Sequence, residues 1–509
     1  MDDIKSNCAK WTPSLYQDIL RNIALYPGQL AFSDRNVNYT WLEFSAKVDS
    51  VARKLESFGV ADGDVVSVYM QNSTEFPVCL YAIWRLGAIF APINSRLSAV
   101  EGVRMAEDVS AKLIIVDKPN IKSDILIRQS RELVAGVSDC GSNCINVVSA
   151  SHPAWLFFTS GTSGTPKAAV LTHSQLNSVV SNGLVDLMMG RLVRTDKAMA
   201  VAPLSHGALT HLLRQVRLGG ETYIYSESHY DESQVLRDIL DRKIRSVFLV
   251  PTMVKRLCDA AEGAECKGSL TALLCGGEPL ARELIKSVEK VFGRVLVNYY
   301  GLAEVTGAIS QANSELIHQQ AEDSPVTAGV SRSGTAIQIR DEDSRPVAHG
   351  VRGSIWVAGE NVFSGYLVKG KLDRSVIVDG WYNTKDMGYL DINGLLYIDG
   401  RSTDMFISGG SNVYPQEIER VLRQLSWVGE CAVVGVPDSK WGEIGVAFIT
   451  SDELEFFDEK VCIDTIRKHL GSYKVPKYFV PIPELPKTAM NKIDRKQLQR
   501  IGIEKHKLS

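Results

Sequence analysis

Apolar residues run in short stretches at 65–70, interrupted by Ser67 alone, and at 113–116, the pattern of strands buried on both faces, and recur at helical spacing over 46–58 and 100–109, the pattern of amphipathic helices. Alternation of the two predicts α/β layers. From 338 to 366 the pattern changes to short strands broken by Gly and Asp-containing turns, as at 350–353, which predicts a small antiparallel or barrel-like portion. A helix over 416–425 and a strand over 431–436 follow. Between two strand-like runs, Gly400-Arg401-Ser402-Thr403-Asp404 carries turn-forming residues. The expected organisation is a large N-terminal α/β domain over 1–401, with two layered sheets and the barrel-like part, and a small α+β domain over 402–509.

Composition narrows the function. A chain of 509 residues, 45% apolar and 23% charged, can bury a large core in more than one domain. Its net charge of −3 is spread without a Lys/Arg stripe, so the chain lacks the electrostatic footprint of a nucleic-acid binder, and small-molecule partners are expected. The first residues carry Asp2 and Asp3 and no apolar targeting core, and no apolar run reaches membrane-spanning length. A cytoplasmic protein without integral membrane association is expected. Nine cysteines are scattered; only Cys140 and Cys144 lie close together, without a second pair at zinc-site spacing, so reduced thiols are expected.

The most informative segment is Thr159-Ser160-Gly161-Thr162-Ser163-Gly164-Thr165-Pro166-Lys167, set between two strand-like runs. Small hydroxyl residues and glycines let backbone N–H groups approach phosphate oxygens, and the loop ends in a cation. It is not a Walker A loop, because Pro166 precedes Lys167 and a strand is expected where that motif opens a helix. Taken alone, the segment is also compatible with a flexible Gly/Ser loop.

Further segments follow in order: Ala202-Pro203-Leu204-Ser205-His206-Gly207, Cys275-Gly276-Gly277-Glu278-Pro279, Asn298-Tyr299-Tyr300-Gly301-Leu302-Ala303-Glu304, Gly380-Trp381-Tyr382-Asn383-Thr384-Lys385-Asp386, Gly400 to Asp404, and Pro486-Lys487-Thr488-Ala489-Met490-Asn491-Lys492. From about Tyr39 to Arg495 the chain thereby resembles the acyl-adenylate-forming superfamily of acyl-CoA synthetases, peptide-synthetase adenylation domains and luciferases. The resemblance implies a large N-terminal and a small mobile C-terminal domain with the site between them. The implied activity is ATP-dependent conversion of a carboxylic acid to an acyl-adenylate and then to a thioester. By resemblance, Thr159 to Gly164 and Lys167 hold the β- and γ-phosphates, Glu304 with Thr159 attends Mg2+, and Gly276, Gly277 and Glu278 run beside the adenine. Tyr300 packs on that ring, with Asn298, Tyr299, Gly301 and Ala303 completing the segment at the nucleotide. Asp386 accepts from the ribose, Arg401 donates to the nucleotide, and Lys492 stands by the reacting carboxylate and α-phosphate. His206 borders the acyl and thiol entry, where a neutral imidazole orients a carboxylate or thiol without a proton-transfer role.

The segments 408–419 and 434–443, with Gly409, Gly410 and Trp441, resemble acyl-CoA synthetases more than amino-acid adenylation domains. Coenzyme A is therefore the expected acceptor. Loading of a carrier-protein phosphopantetheine stays open, that carrier being a separate protein because no attachment signal follows Lys492. A homodimer is also kept open. Four positions depart from the family pattern: Ala303 replaces Thr, Lys385 replaces Gly, Thr403 occupies the hinge, and Asn491 replaces Gly before the lysine. They leave open a slower enzyme or a non-catalytic nucleotide-binding homologue; a phosphotransferase, a third class, would release ADP instead of AMP.

Implied walls of the acid pocket, 206–209, 248–253 and 299–302, are mainly apolar, which suits a fatty or aromatic acid. Gly301 stands where acetyl-CoA synthetases carry a Trp, and an open pocket is expected past it. His211 and Arg214 follow on a predicted helix; they could reach a second polar group of the acid, but are read as solvated.

Overall fold

The computed structural model describes residues 14–118, 121–136, 148–159, 166–320, 325–402, 404–408, 411–451, 457–470, 472–488 and 493–507. The chain forms two compact units, Met1–Ile337 with Val357–Tyr382 and Gln338–Trp356 with Asn383–Ser509. Compactness thus divides it at three places in sequence.

Two sheets organise the first unit. In the nine-stranded sheet, the parallel strands Ile244–Leu249, Ala272–Gly276 and Leu296–Tyr300 lie side by side, extended antiparallel by Ser310–Asn313. Helices Glu232–Asp241, Pro251–Ala260 and Arg282–Phe292 each bury an apolar stripe, and Val235, Ile239, Val254, Leu257, Ile285 and Val288 join the sheet residues in one core. In the eight-stranded sheet, the expected buried strands Val65–Tyr69 and Leu113–Val116 pair in parallel. The two expected amphipathic helices are Trp41–Ser57 and Ala99–Asp108, and each starts at a capping box, Thr40 with Glu43 and Ser98 with Glu101.

The same sheet contains the antiparallel hairpin of Pro153–Thr159 and Lys167–Thr172, so a strand does follow Lys167. Its outer edge continues into Tyr366–Val368, registered Tyr366 against Ala169.

Strand Trp381–Leu390, which belongs to the second unit from Asn383 on, runs antiparallel to Leu396–Arg401, from Asp386 opposite Arg401 to Leu390 opposite Leu396. Beyond it, Cys431–Asp438 and Gly442–Ile449 form a long hairpin, and the second of these strands also pairs, at its start with Phe406–Ser408 and toward its end with Tyr478–Pro481. Alternation assigns its faces. Cys431 and Val433 pack with Ile418 and Leu422 of helix Pro415–Leu422, while Ala432, Val434 and Val436 pack with Leu498 of helix Arg495–Lys507.

A buried ion-pair network fixes this module. Arg495 Nη2 meets Glu419 Oε1 at 2.8 Å, its Nε meets Asp404 at 3.3 Å, and its Nη1 donates to the Val433 carbonyl at 2.7 Å. Glu419, 1% exposed, also accepts from the Val433 N–H at 2.9 Å.

Six cysteines, Cys79, Cys258, Cys266, Cys275, Cys431 and Cys462, are free and buried, and burial raises every one of their thiols, to about 12 for Cys258, Cys431 and Cys462. Cys140 and Cys144 lie outside the described residues. Among the described residues, no helix is long and apolar enough to cross a membrane.

Removing one partner of a buried ion pair leaves the other charge uncompensated. Glu419→Ala is therefore expected to destabilise the second unit by about 3–5 kcal/mol, read as a lower urea midpoint for that transition. An unchanged midpoint would show that the network carries no stability.

Candidate functional site

The phosphate-loop hairpin places Lys167 opposite Thr159, whose Oγ1 donates to the Lys167 carbonyl at 3.4 Å. Ser160 to Gly164 lie outside the described residues. Lys167 is exposed, with its Nζ 5.1 Å from the centre of the Tyr366 ring, within reach of a cation–π contact. Tyr366 in turn donates from its hydroxyl to Glu304 Oε1 at 2.7 Å and lies 3.4 Å from the Tyr382 hydroxyl. Burial, followed by the Glu304 carboxylate, drives the Tyr366 phenol far above its ordinary range, so it stays a donor. Lys167, Tyr366 and Glu304 therefore form one chain of contacts within the first unit.

Glu304 sits in the 3₁₀ turn Ala303–Val305 that follows strand Leu296–Tyr300. Its carbonyl accepts from the Phe363 N–H at 2.8 Å, and Thr306 Oγ1 donates to the Asn361 carbonyl at 2.8 Å, so the segment around 361–366 clasps the turn from both sides. Gly301 opens the turn for a backbone reason. A Cβ there would lie 1.4 Å from the Gly307 carbonyl oxygen. The glycine is required by chain geometry, and its missing side chain is not a measure of pocket length.

The next strand end is similarly tight: a Cβ on Gly276 would lie 2.7 Å from the Tyr299 carbonyl oxygen, and Gly277 turns away with φ +92°. Glu278 beside them is exposed. Asn298 is buried at 8%, while Tyr299, Tyr300 and Ala303 are partly covered.

His206 is held by Ser205, whose Oγ lies 2.8 Å from its Nδ1, and its ring stands edge-on to Phe157, 6.1 Å away on the phosphate-loop strand. Sequence reasoning missed Asn72, which shapes this segment: its Nδ2 donates to the carbonyls of Val201 and Ala202 at 3.3 and 3.0 Å, and its Oδ1 accepts from the Leu204 N–H at 2.9 Å. Tyr366 was also missed, since a lone Tyr at a strand start carries no signal in the sequence. The expectation that His211 and Arg214 are solvated is corrected. Both lie on helix Ala208–Leu218 and are buried, at 3% and 2% exposure, because they face the protein interior and not water.

In the second unit, Asp386 is 5% exposed and pairs with Arg401 Nε at 3.3 Å across the antiparallel ladder. Lys385 adopts φ +66°, a left-handed conformation that explains why the family pattern has Gly there. Trp441 is 47% exposed at the tip of the long hairpin, with Lys440 Nζ 5.2 Å from its ring centre. Thr403, Gly409, Gly410, Asn491 and Lys492 lie outside the described residues; strands Phe406–Ser408 and Ser411–Val413 pair across the two glycines, and Lys487 bridges Ile493.

Among the described residues no three His, Cys, Asp or Glu side chains converge as a metal cage. Glu304, with Oε1 already accepting one hydrogen bond, fits a Mg2+ ion that takes one carboxylate and completes its shell with phosphate oxygens and water.

Residues 19–367 match the AMP-binding enzyme family and 417–492 the AMP-binding enzyme C-terminal domain. The chain is 31% identical to a 2-succinylbenzoate–CoA ligase of Bacillus licheniformis, over 93% of this chain and 97% of that one. It is 30% identical to a feruloyl-CoA synthase of Amycolatopsis, over 94% and 97%. The o-succinylbenzoate CoA synthetase of Bacillus subtilis, solved with its acyl-adenylate intermediate, superposes with a TM-score of 0.86 at 26% identity, covering 96% of this chain and 98% of that one.

Two substitutions probe the site. Tyr366→Phe removes a hydrogen bond to a charged acceptor, worth about 1.5–3 kcal/mol, and is expected to weaken magnesium–nucleotide binding tenfold or more with little change in melting temperature; calorimetric titration measures it, and unchanged affinity would deny Tyr366 its role. Gly301→Ala is expected to cost about 3 kcal/mol in a urea titration, because backbone meets backbone, and a neutral result would contradict the close approach.

Proposed function

This chain belongs to the AMP-binding enzyme family, and from that membership we propose which acid class it activates and which residues do the work. It is an AMP-forming acid:CoA ligase: a carboxylic acid and ATP give an acyl-adenylate and pyrophosphate, and the CoA thiol then displaces AMP. The acid is an aryl acid, a reading supported by the 2-succinylbenzoate and feruloyl ligases among its relatives and by the Phe248 ring beside Tyr299, 5.8 Å between centres. CoA, as the acceptor named for those relatives, is favoured over a carrier-protein thiol. The enzyme works in the cytoplasm.

The observation that carries the assignment of roles is the contact chain from Lys167 through Tyr366 to Glu304. Lys167 and the loop from Thr159 to Gly164 hold the outer phosphates, and Glu304, steadied by Tyr366, carries Mg2+ with them. Gly276, Gly277 and Glu278 run beside the adenine. Asp386 accepts from the ribose, with Arg401 beside it. His206, fixed by Ser205 and Asn72, borders the carboxylate. The module beyond Thr403 turns between the two half-reactions, bringing Lys492 to the carboxylate and α-phosphate in the first and Gly409, Gly410 and Trp441 to the pantetheine arm in the second.

Attack of one anion on another gains most from a cation where charge accumulates. A unit charge at about 4 Å in an effective dielectric of about 20 contributes on the order of 4 kcal/mol, or about a thousandfold in rate. Lys492→Ala is therefore expected to cut pyrophosphate release with aryl acids by a hundredfold or more while supplied acyl-adenylate is still consumed by CoA. Equal losses in both half-reactions would remove Lys492 from the adenylation step. Release of pyrophosphate with aliphatic acids alone, in a panel on the native enzyme, would overturn the aryl assignment.

A further inference from the structure

Helix Arg495–Lys507 lies lengthwise on strand Cys431–Asp438 and keeps step with it. Arg495 Nη1 donates to the Val433 carbonyl at 2.7 Å, and Gln499 Nε2 donates to the Gly435 carbonyl at 2.8 Å. Gly502 lets helix and strand close up, since a Cβ there would lie 2.9 Å from Val436 Cγ1. His506 then faces Asp438, with its Nε2 3.2 Å from Oδ2. The register holds because the helix rises about 16.5 Å from Arg495 to His506 and the strand about 17 Å from Val433 to Asp438. The last turn of the helix is thereby delivered to the tip of the long hairpin.

Asp438 shapes that tip. It ends the first strand opposite Gly442, which begins the second. Its Oδ1 accepts from the Lys440 and Trp441 N–H groups, both at 2.8 Å, so one carboxylate oxygen folds the loop that presents Trp441. The Trp441 and Lys440 N–H groups, and His506 after them, hold the Asp438 carboxyl below the usual carboxylate range. Trp441 is 47% exposed, so packing does little to fix its direction, and the turn beneath it decides where the ring points. Ser408 lies opposite Gly442, which sets this tip beside the strand that leads into Gly409 and Gly410.

The second oxygen of Asp438 is left to His506, and His506 is itself braced. Its Nδ1 lies 3.2 Å from the Tyr478 hydroxyl, and the two rings stand 5.7 Å apart. Tyr478 is fixed in turn by its strand, registered against Val446 in the parallel ladder. Imidazole suits this place because its two nitrogens point apart, one donating to a carboxylate while the other meets a hydroxyl. Tyr478, His506 and Asp438 thus form a run of contacts from the sheet to the Trp441 loop.

We propose that His506 is a positioning residue for the thioester-forming half-reaction: braced by Tyr478, it locks the Asp438 turn and so aims Trp441 at CoA. The assignment rests on the ligase reading and on the place given there to Trp441. His506 acts through Asp438 and Trp441, not on the reacting atoms. Without it the Asp438 turn keeps its backbone bonds but loses its anchor, and the ring it carries samples more directions. CoA then binds less well, while the bound complex reacts as before.

Steady-state kinetics in CoA, with the best acid of the aryl panel, and the pyrophosphate burst without CoA test this. His506→Ala is expected to raise the KM for CoA about fivefold with kcat held within about twofold, and to leave the burst unchanged. His506→Gln, whose amide can still donate to Asp438, is expected to return that KM to within about twofold of native. Tyr478→Phe, which keeps the ring and removes only the brace, is expected to raise it by about twofold to threefold. Trp441→Ala is expected to raise it as well, and the double variant Trp441→Ala/His506→Ala to go no further, because the two residues act in series. A raised KM in Trp441→Ala beside an unchanged one in His506→Ala overturns the role of His506 and leaves that of Trp441. An unchanged KM in Trp441→Ala removes Trp441 from CoA, and His506 with it, while the ligase chemistry stands. Additive effects in the double variant, or equal losses in the burst and in thioester formation, make His506 structural only and overturn the proposal.

Discussion

A hydrogen bond from the Tyr366 hydroxyl to Glu304 links the two sheets of the first unit. Tyr366 begins a strand registered on the phosphate-loop hairpin of the eight-stranded sheet, and Glu304 closes a turn off the central strands of the nine-stranded sheet. Lys167 leans on the ring of that same tyrosine. The cation assigned to the phosphates and the carboxylate assigned to the metal are thus indexed to each other through one phenol, and a shift of either sheet would be felt by both. The Phe363 and Thr306 bonds around it limit such a shift.

The second unit solves its positioning differently. Asp386 and Arg401 face each other on neighbouring strands, where ladder geometry sets their distance. Lys385 tolerates a left-handed backbone beside them, and the Ser402 N–H and hydroxyl both donate to its carbonyl, at 2.9 and 3.0 Å, which ties the segment before Thr403 to the strand that holds Asp386. On the other side of Thr403, Asp404 joins the Arg495 network. Both flanks of the proposed hinge are therefore anchored, which confines bending to few residues.

Much of this was legible in the sequence because it depends on local pattern. Buried strands at 65–69 and 113–116, the hairpin around the phosphate loop and the ordered motif segments all follow from runs of like residues or from Gly and hydroxyl clusters. Side-chain partners that depend on distant chain segments were not legible. Asn72 grips a loop 130 residues away, and Tyr366 reaches Glu304 across 62. Polarity also misled: His211 and Arg214 look like a solvated face by residue type, yet their helix is buried on nearly every side, and only the packing of Gly183 reveals the space kept for a guanidinium. Gly301 misled in the opposite sense, since a missing side chain reads as open space until Gly307 is seen to fill it.

The burial of the cysteines has a consequence for an enzyme whose second substrate is itself a thiol. Mixed disulfides form through thiolates, and raising a thiol from 9.0 to about 12, as burial does for Cys258, Cys431 and Cys462, lowers its thiolate fraction at neutral pH by about a thousandfold. Oxidised coenzyme A has no accessible partner among these buried groups, so the catalyst can turn over in a pool of CoA and its disulfide without capping itself at those positions. It also means that a cysteine introduced at an exposed position such as Lys440 would react with a maleimide or spin label far ahead of the described native thiols.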